Sequence, residues 1–161
     1  MIPLINVDDI IRKHFQTLKE DANLFYRVLY FLIIPLIVAG AFLYFHKYLD
    51  ESIITSLITA FSIFIGLLLN IILVIFAIVN GSTGKLSTLK SRLLEHLYAN
   101  SIYTLLLSTI LIIILLLMLI LNDWTICLLV IVFSFVVYFG VTHFIMTLLM
   151  IFKRLYVLLF D

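Results

Sequence analysis

The sequence predicts an all-α integral membrane protein. It is read as a four-helix bundle with both termini in the cytoplasm and an N-terminal amphipathic helix ahead of the first span. Three observations predict this. Of 161 residues, 65% are hydrophobic and 12% are charged, whereas soluble domains hold about 45–50% apolar and about 25% charged residues. Four runs reach the ~20 predominantly apolar residues that a membrane helix needs. Nine of the ten Lys and Arg side chains fall in the segments that four alternating spans would place on one side. Mean hydropathy is +1.31. These figures exclude a soluble enzyme, a disordered chain and a typical nucleic-acid binder, and the formal net charge of +1 gives no field to attract nucleic acid directly.

The chain reads as a single membrane domain, residues 1–161. The first span covers 28–45 and contains Pro35, expected to kink it, and Gly40. The second covers 53–79, the third 101–121 and the fourth 124–152, followed by a tail over 153–161. A β-barrel is excluded because its strands alternate apolar and polar residues, and the run from Ile110 to Leu121 does not alternate.

Orientation follows from the positive-inside rule. Arg12, Lys13, Lys19 and Arg27 precede the first span, Lys85, Lys90 and Arg92 lie between the second and third, and Lys153 and Arg154 follow the fourth. Only Lys47 lies on the other side. The outer turns, around Asp50 and at Asn122-Asp123, are too short to form an extracellular domain. Tyr26, Tyr30, Tyr98, Tyr103 and Tyr156 are expected at the inner boundary, and Tyr44, Tyr48 and Trp124 at the outer one. No cleavable signal peptide and no lipidation motif is expected. The one cysteine, Cys127, cannot form an intrachain disulfide.

Residues 7–25 read as an amphipathic helix with Asn6 as N-cap and Asp8 and Asp9 in the first turn, where the helix dipole favours acids. Val7, Ile11, Phe15, Leu18, Ala22 and Phe25 make an apolar stripe, opposed by Arg12, Lys13, Lys19 and Glu20. Three placements are open. The helix lies on the inner leaflet, packs on the central loop or a neighbouring subunit, or docks a soluble partner.

The central segment, 80–100, opens with Asn80-Gly81-Ser82-Thr83-Gly84-Lys85. It is not a phosphate-binding loop. The motif's first glycine falls on Val79, and Leu86 stands where Ser or Thr would hold magnesium. A helix stop at glycine is the expected role. From Lys85 the pattern turns helical again, with Leu86, Leu89, Leu93 and Leu97 on one face. A helix unbroken from Lys85 to Leu121 would be about 55 Å long. Lys85, Lys90 and Arg92, with Val7, Ile11, Arg12, Lys13, Phe15 and Leu18, are the candidate docking residues for a cytosolic partner. The same cations would touch anionic membrane lipid.

Inside the bilayer, Thr55, Thr59, Ser62, Gly66 and Asn70 share one face of span two. Small and hydroxylic residues let helices approach and bond across the contact, so this face either packs on another helix or lines a water path. Asn70, His143 and Ser108 or Thr109 lie at similar depth and are expected to meet in a polar layer, within one subunit or across an oligomer axis. His143 is the only histidine within a span. It is either a satisfied neutral imidazole or a proton-responsive group. No catalytic set, no metal-ligand spacing and no cofactor motif is present, so no enzymatic activity, metal or cofactor is expected.

The plan, with Ile34-Pro35-Leu36 in span one and the run SLITAFSIFIGLLLNIILVIF from Ser56 to Phe76, resembles the membrane subunits of the Kiwa anti-phage defence system, the KwaA family. The phage exclusion protein RexB has a similar plan. The resemblance implies a homo-oligomer in the bacterial inner membrane, a tetramer, that senses phage attack and works with a cytosolic effector, KwaB. It carries no specific site residue. The alternative is an oligomeric pore that depolarises the membrane, lined by the Thr59–Asn70 face.

Overall fold

The computed structural model describes residues 7–21, 23–81, 88–120 and 127–160. Among them every regular element is helical: α1 (Val7–Asp21), α2 (Leu24–Val28), a π-helical turn (Leu29–Ile33), α3 (Ile34–Tyr44), α4 (Glu51–Gly81), α5 (Thr88–Ile120) and α6 (Cys127–Phe160). Four helical stretches are long and apolar enough to cross a membrane: Leu24–Tyr44, Glu51–Gly81, Lys90–Ile120 and Leu129–Leu158. They define a multi-pass membrane protein. Asn6, Ser82 to Leu86, Asn122, Asp123 and Trp124 lie outside the described residues, so the cap, central-loop and outer-turn expectations at those positions do too.

Several boundaries differ from the sequence reading. The amphipathic helix does not run to Phe25. It gives way at Asn23, which starts α2, and Phe25 belongs to span one. The fourth helix runs on through the tail to Phe160, since nothing in Lys153-Arg154-Leu155 breaks a helix. The 33 residues of α5 make one rod of about 50 Å.

Span one shows how a proline is accommodated. Pro35 has no N–H for the carbonyl of Phe31, its i−4 partner, and its ring crowds that carbonyl. The helix widens just before it, and the N–H of Ile34 reaches back five residues to Leu29. The helix ends in a Schellman turn, with His46 N–H on the Leu43 carbonyl at 2.9 Å and Lys47 N–H on that of Phe42 at 2.9 Å. His46 supplies the required left-handed backbone, φ 52°. Four residues on, Asp50 caps α4 by accepting from Ile53 N–H at 2.7 Å.

Span one packs on α6, α6 on α5, and α5 on α4, while α1 packs across α5. Among the described residues the backbones of span one and α4 do not come close. The core runs along the α4–α5–α6 contacts through Leu68, Leu111, Leu115, Val137, Phe144 and Ile151. The buried residues of α4 are Ile54, Phe61, Leu68 and Ile75, one every seven. That is the narrow seam of coiled-coil packing. It leaves most of the circumference of α4 uncovered.

Candidate functional site

Two polar sites stand out in this apolar framework. The first is a buried cluster where α1 meets span one, α5 and α6. His14, Asn100 and Thr104 are fully buried there, and Thr17 and His143 nearly so. His14 lies flat on the Tyr103 ring. His14 Nδ1–H donates to Asn100 Oδ1 at 2.8 Å. The Thr17 hydroxyl donates to the His14 carbonyl at 2.7 Å and lies 3.0 Å from Asn100 Oδ1.

The cluster continues through Tyr103. Its hydroxyl is 2.9 Å from His143 Nε2, and His143 Nδ1 is 3.0 Å from the Phe31 carbonyl. A carbonyl only accepts, so Nδ1 carries the proton. Nε2 of the neutral ring then accepts from the Tyr103 hydroxyl. The carbonyl that Pro35 leaves without its usual donor is thus satisfied from α6. His143 is thus bonded within the chain through both ring nitrogens.

Burial is the largest influence on His14, lowering its pKa to about 4 from 6.5. The bond to Asn100 raises it, and the positive charge of Arg154 lowers it. His14 Nε2, Asn100 Nδ2 and Ser101 Oγ are buried without a hydrogen-bond partner.

At the same end of the bundle Arg154 is buried and donates to the His96 carbonyl at 3.0 Å. The sequence reading gave Arg154 only an orienting role beside Lys153. The structure corrects this: one helical step separates exposed Lys153 from the face of α6 that packs on α5. Tyr103, expected as an interfacial anchor, is a packed and bonded member of the cluster.

The rotation of α1 also differs from the hydrophobic pattern. His14, Thr17 and Leu18 face α5, while Val7, Ile11 and Phe15 remain exposed. Asn100 and Tyr103 offer His14 and Thr17 bonding and stacking partners that hydrocarbon cannot. The apolar stripe has lipid as an alternative. Arg12 and Lys13 are exposed. Lys90 and Arg92 are exposed on the first turns of α5, and both already have partners. Lys85 lies outside the described residues.

The second site is the α4 stripe. Thr55, Thr59, Ser62, Gly66 and Asn70 are all exposed, about 100–160° round the helix from the buried seam. Thr55, Thr59 and Ser62 bond back to carbonyls of their own helix, at 2.8, 3.0 and 2.8 Å. A Cβ on Gly66 would meet nothing within 4 Å. Asn70 has no side-chain partner among the described residues. The expected layer of Asn70, Ser108, Thr109 and His143 does not form within one chain. Ser108 and Thr109 bond to the Leu105 carbonyl of their own helix, and His143 bonds to Tyr103 and Phe31.

The α4 stripe was legible from its spacing. The buried cluster was not, because its members come from four segments and His14 falls just beside the apolar stripe. The available signal was a histidine and a threonine, three residues apart, on an amphipathic helix. Comparisons with family models, curated proteins and solved structures found no match to this chain.

Proposed function

We propose that this protein is a non-enzymatic scaffold and sensor of the bacterial inner membrane, with both termini cytoplasmic. It assembles as a homo-oligomer through α4 and docks a cytosolic effector. The resemblance to Kiwa membrane subunits supplies the setting, anti-phage defence, and the expectation of a tetramer with a KwaB-like partner.

The observation that carries the assembly is Asn70. An amide within a span that lacks a partner costs several kcal/mol in hydrocarbon. A second copy presenting the same face offers one, and Gly66, one turn away, lets the two backbones approach. The hydroxyls of Thr55, Thr59 and Ser62 are already bonded to their own helix, which suits a dry contact. Docking is supported by the exposed Arg12 and Lys13 on α1, a helix tied to the bundle by the buried cluster.

A pore lined by the same stripe is the second reading, favoured by its unbroken run from Thr55 to Asn70. Cross-linking separates the two. In a Cys127→Ser background, Ser62→Cys is placed in liposomes and treated with an oxidant and, separately, with a water-soluble maleimide. A scaffold gives a disulfide-linked dimer and little maleimide labelling, and the liposomes stay tight. A pore gives ready labelling and dye leakage. Recovery of a soluble protein with the wild-type chain, but not with one lacking residues 1–21, tests the docking.

A further inference from the structure

We propose that the crevice between α1, span one, α5 and α6 binds an anionic membrane phospholipid, with an acyl chain in the crevice and the phosphate on Arg27. The crevice has a volume of about 560 Å³. Phe31, Leu107, Ile110, Ile114 and Val136 line it, and Arg27 is the charged side chain on its wall.

Its length fits one leaflet. From the level of Tyr103 to that of Ile114 the crevice follows α5 for about 16 Å. Half of a ~30 Å hydrocarbon core is about 15 Å. On its rim Leu32, Ile110 and Val136 are 53%, 44% and 40% exposed. In a bilayer these face acyl chains, so the natural occupant is a lipid tail.

Arg27 sets the headgroup. It lies in the first turn of span one, at the end of the bundle that also carries Lys90, Arg92, Lys153 and Arg154. Its Nε is buried without a hydrogen-bond partner, and no side chain among the described residues pairs with its guanidinium. A guanidinium at the edge of hydrocarbon needs an anionic acceptor, and a phosphate diester matches its planar fork. A lipid with a net negative headgroup adds attraction to the basic end of the bundle. The site is independent of the α4 interface.

The test is reconstitution into bilayers of equal parts phosphatidylglycerol and phosphatidylcholine, extraction, and counting of retained lipid by native mass spectrometry. The wild-type chain should retain phosphatidylglycerol over phosphatidylcholine by about fivefold. Arg27→Gln should abolish that preference, and Arg27→Lys should keep part of it. Val136→Trp, which fills the far end and leaves Arg27 untouched, should lower retention of both lipids. Equal retention of the two lipids by the wild-type chain overturns the site. So does an unchanged preference in Arg27→Gln, or full retention in Val136→Trp. Displacement of phosphatidylglycerol by an equal concentration of oleate overturns the phospholipid assignment in favour of a single-chain acid.

Discussion

The imidazole of His14 lies flat on the phenol of Tyr103, with ring centroids 3.8 Å apart and planes 3° from parallel. The stack joins α1 to the membrane helices, because the Tyr103 hydroxyl continues to His143 and His143 to span one. One contact therefore links α1 to three membrane-length helices.

Docking of α1 should depend on pH. His14 titrates near 4 when docked and near 6.5 when released, with burial as the main cause. Between these values the released helix binds more protons, so docking strengthens as pH rises. The contribution is complete above about 6.5 and lost below about 4, a change of about 3 kcal/mol. A nitroxide on Lys13→Cys in a Cys127→Ser background should become more mobile across that window. Adding His14→Gln should flatten the response.

Tyr103→Phe keeps the ring on His14 but leaves buried His143 Nε2 without its donor. The loss should be about 1–3 kcal/mol. A thermal melt in one detergent, run as a double-mutant cycle with His143→Gln, should show strong coupling between the two positions. Additive losses would mean that the hydroxyl and the ring do not interact.

Asn70→Leu should loosen the proposed assembly without weakening the single chain, since the Asn70 side chain has no bond among the described residues. The dissociation constant in detergent, from sedimentation, should rise roughly 3- to 30-fold, the range for one interhelical hydrogen bond. The melting temperature of the dissociated chain should stay where it was. A drop in that temperature with assembly intact would place the amide's partner inside its own subunit.

Gly140→Val should destabilise the α5–α6 contact, because a Cβ there would come within 2.5 Å of a Leu111 methyl. The expected cost is about 1–3 kcal/mol. Leu111→Ala in the same chain should recover part of it. Gly66→Ala and Gly40→Ala, with nothing within 4 Å of the added carbon, should leave the isolated chain's melting temperature within experimental error.

The four spans were legible because hydrophobic length is a one-dimensional property. So was the α4 stripe, whose five residues lie on one helix. The cluster around His14 was not. His14 and Asn100 are 86 residues apart and His143 and Phe31 are 112 apart, and no local periodicity encodes such pairs. The turn of α1 was misjudged for a related reason. Hydrophobic spacing gives the preference for oil over water, whereas His14 and Thr17 face α5 because Asn100 offers a hydrogen bond and Tyr103 a ring. Pro35 was legible as a disturbance of span one, but not as the reason why the Phe31 carbonyl receives a proton donor from α6.

The contact order of the bundle also sets a timetable for its assembly. Helix α4 packs on α5 and α5 on α6, each the next helix in the chain, so those pairs can form as soon as the second member enters the membrane. Span one makes no close backbone approach to α4 among the described residues and rests on α6, which is made well after it. Phe31 is synthesised 112 residues before His143. At 5–20 residues per second that is a wait of about 6 to 22 s. Until α6 arrives, the Phe31 carbonyl lacks the donor that His143 gives it in the fold.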